Sequence, residues 1–498
     1  MSASRSTRAE RILFAACLTL ALSPLLSGLA GVGKGAQASP VPTCSVPPPS
    51  GWRAVLQTAG RTVLRCPGSL PDSSRPAGTD MLPGIDHIVV LMMENHTYDN
   101  LLGMLGKGDG FTLGPGGQPT ATNPYPAGTA FPDGHVQHAF HMPTTCQLNS
   151  RPSQEWAASH NAYDKGRNDG FVRTPISPAT SEIVGGVAMG YWTGQDLPFT
   201  YSLASLFPIG DRWFSSALAQ TDPERRFLIA GTSSGMTDDI GTGAGNAVPD
   251  AGLLVPAPTV FNELDTFGIS WADYADSYPT GATPNLYPTT TGATEAIHNK
   301  PFTRFFVDAA SGTLPSFSLL DENFGTQSQE NPQNIVLGEQ MMAQVVHAIG
   351  ASPDWPSTLL VITYDEGGGY YDHVPPPPAL APDLIPPQVQ PTESTYEGFA
   401  RYGFRVPAII VSPYARPGFV SHVLHDGTSI LAMMEEKWNL PALTWRDANA
   451  NDLTDFLKMD ALARHKPTFP TLPPLGSPAV DQGCPNATIP PASSISSS

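Results

Sequence analysis

The sequence has few basic residues. Lysine and arginine together number 26, against 44 aspartates and glutamates, so the formal net charge is −18 at neutral pH. The first 38 residues hold four of the basic residues and one acidic residue, and without them the net charge is −21. Such a surface repels polyanions at long range, which argues against nucleic acid as a partner. A small phosphate ester remains compatible with it, because a bound metal ion reverses the charge locally.

Long apolar runs are also scarce. Beyond the N-terminus no segment has about 18 unbroken apolar residues, so the sequence predicts no stable membrane span in the mature protein. The N-terminus itself combines three arginines, an apolar stretch over 12–29 and the small-residue site Ala36-Gln37-Ala38. A membrane anchor is the alternative, but the break at Pro24 and the small-residue site favour a signal peptide. We therefore expect residues 1–38 to be cleaved near Ala38, which places the mature protein in the secreted fraction or on the exterior of the cell envelope.

Cysteine is rare, with five residues in the chain. Cys17 lies in the signal peptide, and the remaining four are Cys44, Cys66, Cys146 and Cys484. An even number in an exported protein predicts two disulfides, for which three pairings exist. We favour Cys44–Cys66, because it closes a short local loop, and Cys146–Cys484 as the other pair. No C-x-x-C spacing occurs, so a zinc cluster is not indicated.

Several common enzyme signatures are missing. No Walker loop, H-E-x-x-H pair, dinucleotide-binding fingerprint or strand-to-helix G-x-S-x-G elbow is evident. A kinase, a dehydrogenase and a serine hydrolase therefore have no support from motifs.

Turn-forming residues are plentiful instead, with 53 prolines and 47 glycines, which predicts long loops around a core. Residues 39–80 are rich in Pro, Ser and Gly and are expected to form an irregular N-terminal arm. Residues 81–465 are expected to form the main domain, and residues 466–498 a loose tail rich in Pro and Ser.

Within the main domain, short apolar runs alternate with segments of helical spacing. The runs predict strands at 85–93, 269–274, 314–320, 358–364 and 406–411. The spaced segments predict helices at 200–206, 223–230, 260–267, 332–350 and 428–438. This alternation predicts an α/β fold in three layers, with a mostly parallel central sheet and helices on both faces. In such sheets ligands bind beyond the carboxyl ends of the strands.

The first polar cluster, Glu94-Asn95, comes directly after the predicted strand 85–93. A carboxylate beside an amide oxygen supplies the ligands that hard cations prefer. The alternative is structural, because Asn95 or Thr97 is also suited to cap the helix that follows. The two interpretations stay open at this point.

The second cluster, Thr221-Asp222-Pro223-Glu224-Arg225, reads as the start of a helix. Asp222 suits the N-cap, Pro223 the first helical position and Glu224 the positive end of the helix dipole. Thr221 would then lie at a helix N-terminus, where backbone N–H groups receive anions. A hydroxyl there is placed to attack phosphorus if a metal ion lowers its pKa. Taken alone, the local pattern favours plain capping.

The third cluster is Asp365-Glu366 at the end of the predicted strand 358–364, followed by three glycines and Asp372-His373. Adjacent carboxylates at a buried strand end repel each other unless a cation is present. Glycines permit tight turning or the close approach of a ligand. This segment favours a functional interpretation.

The fourth cluster, His425-Asp426-Gly427, follows the strand 406–411 and precedes the helix 428–438. His425 and Asp426 are candidates for phosphate or metal contacts. Asp426 suits the helix cap equally well, and both interpretations stay open.

Together and in this order, the segments resemble a bacterial phosphoesterase family that includes phospholipases C and acid phosphatase A-type enzymes. The resemblance runs from about residue 85 to 457 and makes residues 81–465 a phosphoesterase catalytic domain. It rests on IDHIVVLMMENHTYDNLLG, SHNAYDKGRNDGF, TDPERRFLIAGTSSG, SWADYADSYP, SPDWPSTLLVITYDEGGGYYDHVPPP and RYGFRVPAIIVSPYARPGFVSHVLHDGTSIL.

The resemblance implies an alkaline phosphatase-like fold and one or more divalent metal ions. The implied metal ligands are Glu94, Asn95, Thr221, Asp365 and Glu366, and all-oxygen ligation fits Ca, Mg, Mn or Fe. Thr221 is the implied nucleophile, which forms a phosphothreonine that water then hydrolyses. The remaining candidates are His373 and His425 as general acid, and Arg225, Asp372, Asp426 and His160 as substrate-binding residues.

The sequence also departs from the family pattern. Gln154 stands where many relatives have a His, Asn331 begins what is a His-Pro-Pro-x-Asp pattern in the family, and Gly427 replaces the His of a family Asp-His-Thr-Ser motif. The implied metal ligands are complete, so a hydrolase with altered pH dependence or substrate range is the leading hypothesis. Its substrate would be a small phosphate ester or a phospholipid head group, with the loops at 105–135 and 275–305 deciding between diesters and monoesters. The other hypothesis is a non-catalytic extracellular binding protein that keeps the fold and the metal.

Overall fold

A computed structural model describes residues 44–58, 60–126, 135–147, 152–173, 185–239, 257–275, 283–287, 295–323, 326–331, 333–389, 396–476 and 493–494. The predicted signal peptide, Cys17 and Cys484 lie outside these residues. The α-helices are α1 Trp52–Thr58, α2 Tyr98–Leu102, α3 Trp156–Tyr163, α4 Pro198–Leu206, α5 Thr221–Ala230, α6 Val260–Phe267, α7 Glu295–His298, α8 Phe302–Ser311, α9 Ile335–Ala351, α10 Thr428–Trp438, α11 Trp445–Ala448 and α12 Met459–Ala463. The strands are β1 His87–Met93, β2 Thr122–Pro124, β3 His135–His138, β4 Phe140–His141, β5 Gly190–Tyr191, β6 Ile209–Gly210, β7 Trp271–Ala275, β8 Asn299–Pro301, β9 Phe317–Asp321, β10 Thr358–Tyr364, β11 Ala408–Val411, β12 Val420–Ser421 and β13 Ser493–Ser494.

A central sheet of eight strands organises the fold, in the order β12-β6-β11-β10-β1-β9-β7-β8. β1 pairs in parallel with both β10 and β9, and β7 pairs in parallel with β9 and β8. β11 runs antiparallel to both of its neighbours, β10 and β6. The prediction of an α/β fold with a mostly parallel sheet is confirmed, with one reversed strand inside it.

Burial of the central strands explains why they read as unbroken apolar runs. Every residue of β10 and all but the first residue of β1 are buried, so both faces of the sheet are covered. Side chains of the strands and of helices such as α4, α9 and α10 join one large apolar cluster. The three-layer arrangement follows from that cover on both sides.

The described parts of the predicted arm and tail are more ordered than their composition indicated. The N-terminal arm contains α1, and the predicted Cys44–Cys66 disulfide is present. Cys146 is disulfide-bonded as well, while its predicted partner lies outside the described residues. The tail was expected to be loose, but Thr468 donates its backbone N–H to Pro413 at 2.8 Å, and His347 Nε2 bonds the Pro473 carbonyl at 2.7 Å. Its described part is therefore fixed to the main domain.

The described part of the chain has no helix that is long and apolar enough to cross a membrane.

Candidate functional site

Two adjacent parallel strands bring the acidic pairs together. Met93 of β1 lies opposite Tyr364 of β10, so the residues that follow, Glu94-Asn95 and Asp365-Glu366, leave the sheet at the same edge. The backbone N–H of Asn95 donates to Asp365 Oδ1 at 3.2 Å. The two pairs, which are 270 residues apart in the chain, form one site because the strands are in register.

The side-chain amide of Asn95 lies at the centre of this group. Its inward-pointing amide atom is 2.6 Å from Glu366 Oε1, 3.1 Å from Glu94 Oε2 and 3.2 Å from Asp365 Oδ1. With nitrogen in that position, the amide donates to all three carboxylates. With oxygen there, the four side chains point oxygen atoms at a common centre, which is the arrangement that a hard cation requires.

The loop after β10 needs glycine to approach Asn95 so closely. Gly368 has a φ of +62°, and a Cβ atom added there would lie 2.0 Å from the carbonyl oxygen of Asn95. The Gly368 N–H donates to Glu366 Oε2 at 2.7 Å, which orients the other oxygen of that carboxylate toward the amide. The three-glycine run therefore lets the Asp365-Glu366 loop pack against the Glu94-Asn95 loop.

Thr221 completes the oxygen cluster, by which we mean Glu94, Asn95, Thr221, Asp365 and Glu366. Its Oγ1 lies 3.4 Å from Glu94 Oε2 and 3.4 Å from the amide of Asn95. Thr221 is 9% exposed, against 3% or less for the other four, so its hydroxyl is the member most open to solvent.

Thr221 is itself the first residue of α5, which therefore begins before the predicted start at Pro223. Gln220 is the N-cap, in extended conformation and without a capping side-chain bond, so the prediction of Asp222 as N-cap is wrong. Helix α5 has ten residues and directs its positive end at the oxygen cluster. In the first cluster, by contrast, Thr97 is the cap of α2, and its side chain accepts from the Asn100 N–H.

Electrostatics show that the oxygen cluster fits a cation. Burial, and next the charge of Asp365, raise the pKa of Glu94 and of Glu366 well above their usual values. Asp365 Oδ2 has no hydrogen-bond partner among the described residues and lies 3.7 Å from Arg225 Nε. Three buried carboxylates beside one guanidinium leave excess negative charge, which a divalent metal ion would offset.

Arg225, predicted to bind substrate, instead binds carboxylates of the protein. Its Nη2 donates to Glu94 Oε1 at 2.5 Å and its Nη1 donates to Asp321 Oδ1 at 2.5 Å, and all three side chains are buried. Asp321 was not among the residues predicted from the sequence. The available signal was its position directly after the predicted strand 314–320, at the edge where the other acidic residues gather.

A second group, Asp99, Asp372 and His373, also offers potential metal-ligating atoms within 4.8 Å of one another. Arg405 occupies its centre, donating from Nε to Asp372 Oδ1 at 2.8 Å and from Nη2 to Asp99 Oδ1 at 3.2 Å. We call these four residues the Arg405 network. A guanidinium and an imidazole therefore already accompany the two carboxylates of this network.

His373, a predicted general acid, belongs to this network. Its Nδ1 lies 2.7 Å from Asp99 Oδ2 and its Nε2 lies 3.3 Å from Asp109 Oδ1. Burial lowers the pKa of His373, but the hydrogen bond and charge of Asp99 outweigh it and raise the pKa to about 9. Asp372, predicted to bind substrate, has no exposed surface and is bonded to Arg405 instead.

His425 and Asp426 are also buried away from solvent. His425 packs against the rings of Trp213 and Phe456, with Nε2 at 3.3 Å from Asp455 Oδ1. Asp426 accepts from the Thr428 hydroxyl at 2.7 Å and is not the helix cap, because Gly427 holds that position. His425 and Asp426 are at most 1% exposed, and the catalytic role of His425 and the substrate-binding role of Asp426 stay predictions.

His160 is a buried neutral histidine. Its ring lies 4.1 Å from that of Trp156, and its Nδ1 bonds the Trp156 carbonyl at 2.8 Å. Burial lowers the pKa of His160 to about 4, so this ring is uncharged at neutral pH. His160 packs against Trp156, and its contact with substrate stays a prediction.

The structure describes the three residues that depart from the family pattern. Asn331 accepts from the Tyr370 hydroxyl at 3.0 Å, Gln154 is buried, and a Cβ at Gly427 would meet only Ser216 Oγ, at 3.1 Å.

Comparisons with known proteins indicate the family of the chain. A family model described as the phosphoesterase family matches residues 85–441. The chain is similar to phospholipase C A of Mycobacterium tuberculosis, with 28% identity over 446 residues, which are 81% of this chain and 80% of that protein. It is similar to non-specific phospholipase C6 of Arabidopsis thaliana, with 30% identity over 401 residues, which are 74% and 72% of the two chains.

Among solved structures, a protein in the alkaline phosphatase superfamily from Vibrio parahaemolyticus aligns with 80% of this chain and 77% of its own, at 9% identity and a TM-score of 0.38. A structural likeness at that level is too distant to indicate a function.

Proposed function

Because the chain belongs to the phosphoesterase family, we propose that it is a phospholipase C-type phosphodiesterase with Thr221 as nucleophile. Family membership makes it a hydrolase acting on phosphoester bonds. The relatives named phospholipase C support a diester such as a phospholipid head group as substrate, in preference to a phosphomonoester. The observation that carries the proposal is the Thr221 hydroxyl at the solvent side of the oxygen cluster and at the head of α5.

The position of Thr221 suits attack on phosphorus. Its Oγ1 would form a bond to phosphorus and give up its proton to Glu94 Oε2, while the bond from phosphorus to the leaving oxygen breaks and that oxygen takes up a proton. The product is a phosphothreonine that still carries the other ester group, and water hydrolyses it in a second step. Glu94 Oε2 and the Asn95 amide, each 3.4 Å from Oγ1, hold the hydroxyl in place for that attack. The positive end of α5 favours the negative charge that the phosphoryl oxygens carry.

The oxygen cluster would hold a divalent metal ion through Glu94, Asn95, Asp365, Glu366 and the Thr221 hydroxyl. When bound, such an ion lowers the pKa of the hydroxyl and offsets the charge on the phosphoryl group. Oxygen ligation alone fits Ca, Mg, Mn or Fe. The raised pKa of Glu94 and of Glu366 supports this assignment, as does Asp365 Oδ2, which has no hydrogen bond to any residue that the structure describes.

Secretion is part of the same proposal. The basic, apolar and small-residue segments of 1–38 support a cleaved signal peptide. The Cys44–Cys66 disulfide is consistent with folding in an oxidising compartment. Mass spectrometry of the mature N-terminus from culture supernatant tests cleavage near Ala38.

Activity is tested with p-nitrophenylphosphorylcholine and p-nitrophenyl phosphate, with and without chelator. We expect hydrolysis of the diester, its loss with chelator, and its return on adding one of the four metals. Faster hydrolysis of the monoester would assign the protein to the acid phosphatase branch of the family. No hydrolysis of either substrate by folded, metal-loaded protein would favour the non-catalytic binding protein.

A further inference from the structure

A line of buried contacts runs from the oxygen cluster to the neighbouring strand β9. Arg225 lies four residues after Thr221 on α5, so both side chains are on the same face of the helix. Its guanidinium bridges Glu94 Oε1 and Asp321 Oδ1, both at 2.5 Å. Asp321 ends β9, where it is paired in register with Met92 of β1, two residues before Glu94.

The carboxylate of Asp321 is itself held in place by Thr283. Thr283 donates from its backbone N–H to Asp321 Oδ2 at 2.7 Å and from Oγ1 to Asp321 Oδ1 at 2.8 Å. Arg225 Nη1 also donates to Thr283 Oγ1 at 3.0 Å. Two bonds to one residue fix the plane of the Asp321 carboxylate, so it offers Arg225 an acceptor in a set direction.

As a result, the two carboxylate oxygens of Glu94 face different partners. Oε1 accepts from Arg225, and Oε2 is left facing Thr221 Oγ1 at 3.4 Å. Because the guanidinium is planar and rigid, fixing it on Asp321 also fixes the rotation of the Glu94 carboxylate. Asp321 therefore helps, through Arg225, to orient the carboxylate of Glu94, which is a proposed metal ligand.

Asp321 also holds the guanidinium of Arg225 back from Asp365, another member of the oxygen cluster. Arg225 Nε is 3.7 Å from Asp365 Oδ2, whose buried oxygen has no hydrogen bond within the described chain. Without the Asp321 charge, the guanidinium would gain by moving toward Asp365. It would then compete with a metal ion for the same carboxylate.

We infer that Asp321 is a positioning residue of the reaction centre, which retains Arg225 and thereby sets the metal affinity of the oxygen cluster. The inference rests on the proposed function, since it assumes that the oxygen cluster binds the metal. Loss of Asp321 should therefore weaken metal binding directly, and should lower turnover only because less metal is bound.

The test is Asp321→Asn, which keeps the size of the side chain and removes its charge. Affinity of metal-free protein for Mn²⁺ is measured by titration calorimetry, and kcat and KM with p-nitrophenylphosphorylcholine are measured over a range of Mn²⁺. We expect Mn²⁺ binding to weaken by about 10- to 100-fold, as for other residues that support metal ligands. Excess Mn²⁺ should restore most of kcat, with KM little changed.

Asp308→Asn is the matched control, because Asp308 is a buried carboxylate that pairs with Arg304 and Lys300 on another part of the chain. It should lower the thermal midpoint and leave Mn²⁺ affinity as in the wild type. Thr283→Val removes one hydrogen bond to Asp321 and should weaken Mn²⁺ binding less than Asp321→Asn does. If Asp321→Asn does not fold, the Mn²⁺ affinity of Thr283→Val tests the inference in its place.

Wild-type Mn²⁺ affinity in folded Asp321→Asn, or in Thr283→Val if that variant must decide, would overturn the inference and leave the proposed function standing. A wild-type protein that binds none of Ca, Mg, Mn or Fe would overturn both.

Discussion

The Asp372 carboxylate accepts a hydrogen bond from Arg405 Nε at 2.8 Å, and neither side chain has any exposed surface. The same guanidinium donates to Asp99 and to the carbonyl oxygens of Asp109 and Asp211. Asp99 follows the Glu94-Asn95 loop and Asp372 follows the Asp365-Glu366 loop. The Arg405 network thus ties together the two segments that carry the proposed metal ligands.

Removing the Arg405 charge should destabilise the fold. Arg405→Met leaves two buried carboxylates without their main cation, a change that typically costs about 3–5 kcal/mol. We expect a clearly lower midpoint in urea unfolding, with Arg405→Lys intermediate, because lysine keeps the charge and loses the forked geometry. Arg464→Met, at an exposed pair with Asp460, is the control and should unfold like the wild type. A wild-type midpoint for Arg405→Met would contradict the structural role of the network.

Thr221→Ala should abolish turnover of p-nitrophenylphosphorylcholine, since no hydroxyl remains to attack phosphorus. Loss of a nucleophile in a hydrolase lowers kcat on the order of 10⁴-fold or more. Thr221→Ser keeps a hydroxyl at the head of α5 and should retain measurable activity. Near wild-type kcat in Thr221→Ala would remove Thr221 from the mechanism.

Glu366→Gln should have opposite effects on the metal-free and metal-loaded protein. Without metal, the substitution relieves repulsion from Asp365 in a buried site, so the thermal midpoint should rise. With metal, the variant lacks a charged ligand, so the usual increase in midpoint on adding Mn²⁺ should shrink. Elemental analysis should show less bound metal than in Glu397→Gln, a control at the Arg401 ion pair. Equal metal content in the two variants would exclude Glu366 as a ligand.

His373 should make stability depend on pH in the alkaline range. Its pKa is about 9 in the folded protein, above the 6.5 of an unperturbed histidine, so the folded state holds the proton more tightly. The contribution of His373 to the free energy of unfolding is therefore complete below pH 6.5 and is lost as the pH rises through about 9. The free energy of unfolding of wild type and His373→Gln, measured in urea from about pH 6 to 10, should differ most at the acidic end. A difference that grows toward the alkaline end would contradict the assignment.

The Cys44–Cys66 bond should stabilise the N-terminal arm. Its partners are 22 residues apart, and a loop of that length contributes about 3 kcal/mol. The double substitution Cys44→Ser/Cys66→Ser should lower the unfolding midpoint while leaving kcat on p-nitrophenylphosphorylcholine unchanged at low temperature. An unchanged midpoint would show that the arm contributes nothing to global stability.

Local sequence pattern was sufficient for much of the fold. The predicted bounds of α6, β10 and α10 agree with the structure. The two helices have a clear period, β10 is an unbroken apolar run, and each element ends at a turn residue or a polar break. Strand-end placement favoured a shared centre for Glu94-Asn95 and Asp365-Glu366, and the family resemblance added Thr221. The structure brings these residues together. Their roles as ligands and nucleophile stay predictions.

Other features depend on tertiary contacts that no local pattern encodes. The reversed direction of β11 depends on how the chain returns to the sheet, and its apolar run reads the same in either direction. His373 and His425 stand in motif-like segments, yet their rings are directed by Asp99 and Asp455, which neither segment contains. Asp321 and Arg405 act through ion pairs whose partners are distant in sequence, so local pattern predicts neither role.

The pairing of β1 with β10 has a consequence for the order of events in folding. Glu94-Asn95 and Asp365-Glu366 meet only after two strands whose paired residues are 271 positions apart (358−87) have found the correct register. Contacts of such high sequence separation form slowly, because a long loop must close before they stabilise anything. A partly folded chain would therefore have native-like helices but no competent centre. Recovery of activity during refolding would lag behind recovery of secondary structure, and would report the completion of the sheet.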